Sequence, residues 1–108
     1  MNDNPTLFVN GEIDIYTCSE LREAFMALLE EEHTVIVLNL ENVEYIDSTG
    51  LGTVAYAAQR LSEKNGKIIV VCKKPQIKKI FQVSGLLTKN IQLYETQEEV
   101  FETHEGIN

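Results

Sequence analysis

Residues 34–72 read TVIVLNLENVEYIDSTGLGTVAYAAQRLSEKNGKIIVVC. Both ends of this stretch, Thr34–Leu40 and Lys67–Cys72, are short apolar runs rich in β-branched residues. Runs of that kind suit strands buried on both faces, as in the interior of a parallel sheet. Between them Leu51, Val54, Ala55, Ala58 and Leu61 recur at helical spacing, which gives a helix with one apolar stripe. That helix opens after Asp47-Ser48, runs to about Lys64 and is closed by Gly66. Two strands joined through a helix pair in parallel, because such a connection needs a dozen residues or more. The stretch predicts an α/β fold.

The rest of the chain repeats the alternation. Thr6–Val9 is a short apolar run ended by Asn10-Gly11, which predicts a strand followed by a turn. A helix is expected from Thr17, with Thr17 and Glu20 forming a capping box and Leu21, Ala24, Phe25, Leu28 and Leu29 facing inward. A shorter helix follows Pro75 with Ile77, Ile80 and Phe81 inward. Ile91–Tyr94 is then a third core strand or an edge, and a last helix from Thr96 to about His104 buries Val100 and Phe101. The expected product is one domain over residues 1–108, a small mixed sheet covered by about four helices, frayed at 1–5 and 105–108.

Composition excludes several classes of function. At 108 residues and 44% hydrophobic, the chain can bury one core and is not disordered throughout. It has no apolar run of membrane-spanning length, and its first residues lack the basic-then-apolar pattern of a signal peptide, so a cytoplasmic location is expected with no membrane partner. A net charge of −8 argues against direct nucleic-acid binding. The charge is also segregated. Residues 1–54 carry eleven acids against Arg22 alone, residues 55–94 carry seven lysines and Arg60 against Glu63, and residues 95–108 carry five glutamates. Segregation of this kind can steer a charged partner.

Catalytic and metal chemistry find little support. Cys18, Cys72, His33 and His104 have no metal-ligand spacing, and both cysteines fit the role of small buried hydrophobes. No Gly-rich phosphate loop with lysine and no GxSxG elbow is present, so no catalytic residue, metal or cofactor is expected and the chain does not read as an enzyme. The informative segment is Asp47-Ser48-Thr49-Gly50-Leu51-Gly52. It opens the central helix, with Ser48 at or near the cap, where unpaired amides and the helix dipole favour negative charge. A phosphate on Ser48 would be tolerated there and would add about −1.5 to −2 units beside Asp47. Gly50 and Gly52 either leave room for a partner to approach or serve close packing, and the amide-rich start at Ser48–Gly50 also admits a bound nucleotide.

The string GEIDIYT (Gly11–Thr17), then YIDSTGLG (Tyr45–Gly52), then IFQVSGL (Ile80–Leu86) resembles the STAS-domain anti-sigma factor antagonists of bacterial partner-switching systems. The match runs in order across nearly the whole chain, and is strongest to the antagonists of general-stress pathways, the RsbV type. The resemblance implies a STAS fold and a binding protein switched by phosphorylation. The serine after the motif aspartate is the family's phosphoacceptor, which falls on Ser48, with Thr49 as a weaker candidate. The implied partners are an anti-sigma factor that is also a serine kinase, bound only by the unphosphorylated chain so that a sigma factor is released, and a PP2C-type phosphatase that restores binding. Asp14, Asp47, Ser48, Thr49, Gly50 and Leu51 are the implied docking residues, with Ser84 and Gly85 bordering the same face. Relatives usually carry a further strand before the one that leads to GEID, whereas ten residues precede Gly11 here, so that first edge strand is expected to be missing or truncated. The alternative class is a STAS subunit of a transporter or signalling scaffold; the serine that transporter versions often lack is present here, and the added domain of scaffold versions is not expected.

Overall fold

The computed structural model describes residues 4–100 of the chain. Their elements run β1 (Thr6–Ile13), α1 (Cys18–Glu30), β2 (Val35–Ile46), α2 (Ser48–Ser62), β3 (Lys67–Val71), α3 (Pro75–Ser84) and β4 (Ile91–Tyr94), and residues 97–100 are again helical. The strands form one sheet in the order β1-β2-β3-β4. All three strand pairings are parallel, where a mixed sheet had been expected. Each step from strand to strand crosses through a helix, so among the described residues no hairpin exists to supply an antiparallel neighbour; the one antiparallel contact is an isolated bridge between Thr88 and Ile91.

Sequential strand order and one crossover hand put the three long helices on the same face. There Leu21, Phe25 and Leu29 of α1, Val54, Ala58 and Leu61 of α2, and Ile77 and Phe81 of α3 pack on Ile36, Leu38, Leu40, Ile68 and Val70. The other face is smaller. Val37, Ile69 and Val71 lie beneath Val100, which is 1% exposed. Asn39, in the middle of β2, is buried on this side and is satisfied by Gln97 Oε1 at 2.9 Å and by the Glu41 N–H at 3.0 Å. The expected burial of Phe101, and the last helix beyond residue 100, lie outside the described residues.

Both ends of β1 differ from expectation. The first strand does not stop at Asn10-Gly11. It runs to Ile13 through two shifts of register against β2, and Gly11 takes a φ of 85° in the irregular stretch, which a glycine absorbs without strain. At the start, Pro5 is tied in rather than frayed, its carbonyl accepting from the Val37 N–H at 2.9 Å. Among the described residues no strand precedes β1, which forms the sheet edge. No helix among them is long and apolar enough to cross a membrane.

Candidate functional site

The carboxyl ends of β1 and β2 lie side by side. Ile13 pairs with Ile46, and the Asp47 N–H donates to the Ile13 carbonyl at 3.1 Å. The two segments that follow, the Asp14–Thr17 loop and the first turn of α2, are thereby neighbours at the end of the sheet where open α/β folds place their binding sites. Asp14 and Asp47 are both hydrogen-bonded within the chain. Asp47, not Ser48, is the helix cap: its carboxylate accepts from the Gly50 N–H at 3.0 Å, with extended backbone that suits the position. Asp14 Oδ1 accepts from the Tyr16 N–H at 2.9 Å and the Thr17 N–H at 3.0 Å.

Ser48 is the first residue of α2 and is exposed. With Asp47 holding the cap, its hydroxyl takes no hydrogen bond among the described residues. Thr49 is half-buried and Leu51 packs against the core. Gly50 is buried: a Cβ there would lie 2.6 Å from Ile13 Cγ2 and 2.8 Å from Ile46 Cγ1. Its missing side chain lets α2 sit down on the strand ends, so it serves packing and offers no surface to a partner. Gly52 faces open space.

From Thr49 a groove of about 390 Å³ runs between α1 and α2, lined by Arg22, Met26, Thr49, Gly52, Thr53 and Tyr56. Reading for polar motifs misses its apolar members and misses Ile15 and Tyr16 in the loop. The signal that finds them is an apolar residue off the inward stripe: Met26 and Tyr56 lie outside the spacing that fills the core, and both are more than a third exposed.

Ser84 and Gly85 are not brought to this place. They end α3, where the Ser84 hydroxyl donates to the Phe81 carbonyl at 2.9 Å and Gly85 caps the helix in the left-handed region. Gly85 borders a separate groove with Ala55, Ala58, Gln59 and Ser62. The nearest of those α2 residues is seven positions from Ser48, roughly 10 Å along the helix.

The remaining candidates for chemistry are quiet. Cys18 and Cys72 are buried free thiols, and burial pushes Cys72 up to about 11, far from a reactive thiolate. Among the described residues no group of three or more His, Cys, Asp or Glu side chains could hold a metal ion.

The pattern of the STAS domain matches residues 2–100 of this chain. The chain belongs to the STAS-domain family. Over 78 residues it is 35% identical to the anti-sigma-B factor antagonist of Staphylococcus aureus strain NCTC 8325, covering 72% of each chain. Over 84 residues it is 32% identical to the protein of the same name from Listeria monocytogenes, covering 78% of this chain and 74% of that one. Its fold matches the Bacillus cell fate determinant SpoIIAA, solved in the phosphorylated form, with a TM-score of 0.72 and 25% identity over 95% of this chain and 93% of that one. This STAS domain is therefore of the anti-sigma factor antagonist type, a regulatory binding protein rather than an enzyme.

Proposed function

We propose that this STAS domain binds an anti-sigma factor that is also a serine kinase, releases a sigma factor by doing so, and is switched off when that kinase phosphorylates Ser48. The observation that carries the reading is the Ser48 hydroxyl, exposed and without a hydrogen bond among the described residues at the first position of α2. Thr49, half-buried at the mouth of the groove, is the poorer acceptor. The γ-phosphoryl group of ATP would pass to Ser48 Oγ as the hydroxyl proton is lost and ADP leaves. A PP2C-type phosphatase would return the hydroxyl by hydrolysis. The names of the relatives and a relative solved in a phosphorylated form support the same reading. A cytoplasmic location, with no direct contact to nucleic acid or membrane, goes with these partners.

The geometry favours a switch by charge. The Gly50 N–H is already bonded to Asp47, so a phosphate on Ser48 would stand beside a carboxylate instead of replacing it as the cap. The positive end of α2 offsets part of that charge, which leaves the fold intact. A partner docking there would have to strip water from two neighbouring anions, and that opposes binding. The test is to incubate the chain with ATP, Mg²⁺ and each purified anti-sigma kinase of the source genome. Wild type is expected to be phosphorylated on Ser48. Ser48→Ala should bind without being labelled, and Ser48→Asp should bind at least about tenfold more weakly. Labelling elsewhere, or tight binding by Ser48→Asp, overturns the switch.

A further inference from the structure

The Asp14–Thr17 loop contains two residues that no internal packing explains. Ile15 is 65% exposed and Tyr16 is 87% exposed, the largest exposure of any large hydrophobic side chain among the described residues. The loop is fastened along its whole length. Asp14 Oδ1 holds the N–H groups of Tyr16 and Thr17, the Thr17 hydroxyl accepts from the Asp14 N–H at 2.9 Å and donates to the Glu12 carbonyl at 2.8 Å, and the Cys18 N–H donates to the Asp14 carbonyl at 2.8 Å. An aromatic ring held in water on a pre-ordered backbone loses little conformational freedom on binding, the property of the aromatic anchors that dominate protein interfaces. It is also placed where docking is required. The first turn of α2 adjoins the loop through the Asp47–Ile13 hydrogen bond, and the groove with Met26 and Tyr56 continues from Thr49.

We infer that Tyr16, with Ile15 beside it, is the apolar anchor by which this chain grips its anti-sigma factor, and that Asp14 is a positioning residue holding the anchor out. The inference rests on the proposed function and deepens it. The occupant is an apolar pocket on that anti-sigma factor with basic residues at its rim, since Glu12 and Glu44 are exposed near the strand ends and Arg22 is the only cation of residues 1–54. Ser48 then lies at the edge of an apolar contact, where a phosphate keeps its water only if the contact stays open.

Calorimetric titration of each purified anti-sigma kinase of the source genome, with five variants, tests this. Tyr16→Ala should weaken binding at least about tenfold at an unchanged melting temperature, while Tyr16→Phe, which keeps the ring, should bind as wild type. Asp14→Asn keeps the Oδ1 acceptor and discards the charge, so it should also bind as wild type. Asp14→Ala should weaken binding and speed hydrogen exchange at the Tyr16 and Thr17 amides while the β2 amides stay protected. Phe8→Ala, at an exposed aromatic five residues before the end of β1, should change nothing. Full binding by Tyr16→Ala, or equal losses in Asp14→Asn and Asp14→Ala, overturns the inference and leaves the proposed function standing. A wild-type chain that binds none of the kinases overturns the proposed function, and the inference with it.

Discussion

Gly50 and Gly52 stand two positions apart in one motif and play opposite parts. Two residues along a helix is a turn of about 200°, so when one faces the core the other faces water. That much is legible in the spacing, but which of the two faces inward depends on where Asp47 starts the helix, and the spacing leaves this open. With Asp47 as cap, Gly50 falls over Ile13 and Ile46 with no room for a Cβ. Gly50→Ala is therefore expected to destabilise the fold by about 1–3 kcal/mol, the usual cost of overpacking. Gly52→Ala meets nothing within 4 Å and should stabilise α2 by about 0.5–1 kcal/mol. Chemical denaturation of the two variants checks both signs, and a stable Gly50→Ala would mean that α2 does not sit on the strand ends. The two aspartates carry the same lesson. The resemblance puts Asp14 and Asp47 on the docking face, and the structure adds a local task for each, bonding to backbone N–H groups of its own segment.

Two copies of one pattern, Thr-x-x-Glu, behave differently at the level of elements. At Thr17 and Glu20 no capping box forms: Thr17 has αR backbone and no cap hydrogen bond, because its hydroxyl is engaged by Asp14 and Glu12 on the loop side. At Thr96 and Glu99 the box is complete, with the Glu99 N–H donating to Thr96 Oγ1 at 3.2 Å and Glu99 Oε1 accepting from the N–H groups of Glu95 and Thr96. The four-residue pattern is local, whereas the competitor for Thr17 comes from the strand before it, so the pattern alone does not distinguish the two. Thermal unfolding should place Glu20→Ala within about 0.5 kcal/mol of wild type and Glu99→Ala about 1 kcal/mol below it. A larger loss in Glu20→Ala would restore the box at Thr17. Strands and inward stripes were far more legible than ends. Ile36–Leu40 and Ile68–Cys72 are buried on both faces as their composition predicts, while the extension of β2 to Ile46, which sets down Asp47 and Ser48, is hinted at only by Tyr45-Ile46 and is continuous with β2 through the pairing with β1.

Across the whole molecule the segregated charge acquires a place. Because β1 and β2 extend beyond β3, whose last residue Val71 pairs with Asn39, Glu12, Asp14, Glu44 and Asp47 of the acidic first half gather at the end that carries Ser48, whereas Glu30–Glu32 close α1 at the other end of the sheet. Of the basic second half, Lys67 and Lys89 border a groove at the far end of α2, with Ser62 and Asn65. Lys73 and Lys74 sit lower on the sheet, against Glu41, so the carboxylates of Glu12, Asp14, Glu44 and Asp47 give the strand ends beside Ser48 a local negative charge that net charge alone does not convey. A partner with a basic rim would be drawn to that end before contact, and the attraction reaches only as far as salt allows, about 30 Å at 0.01 M and about 10 Å at 0.1 M. Stopped-flow association with the anti-sigma kinase should therefore slow as salt rises over that range, with little change in the dissociation rate, because the apolar contact at Tyr16 is not screened. Tyr16→Ala should keep the salt-dependent association and dissociate faster at every salt concentration. An association rate indifferent to salt would mean that the acidic end plays no part in finding the partner, and would leave the ring at Tyr16 to account for recognition alone.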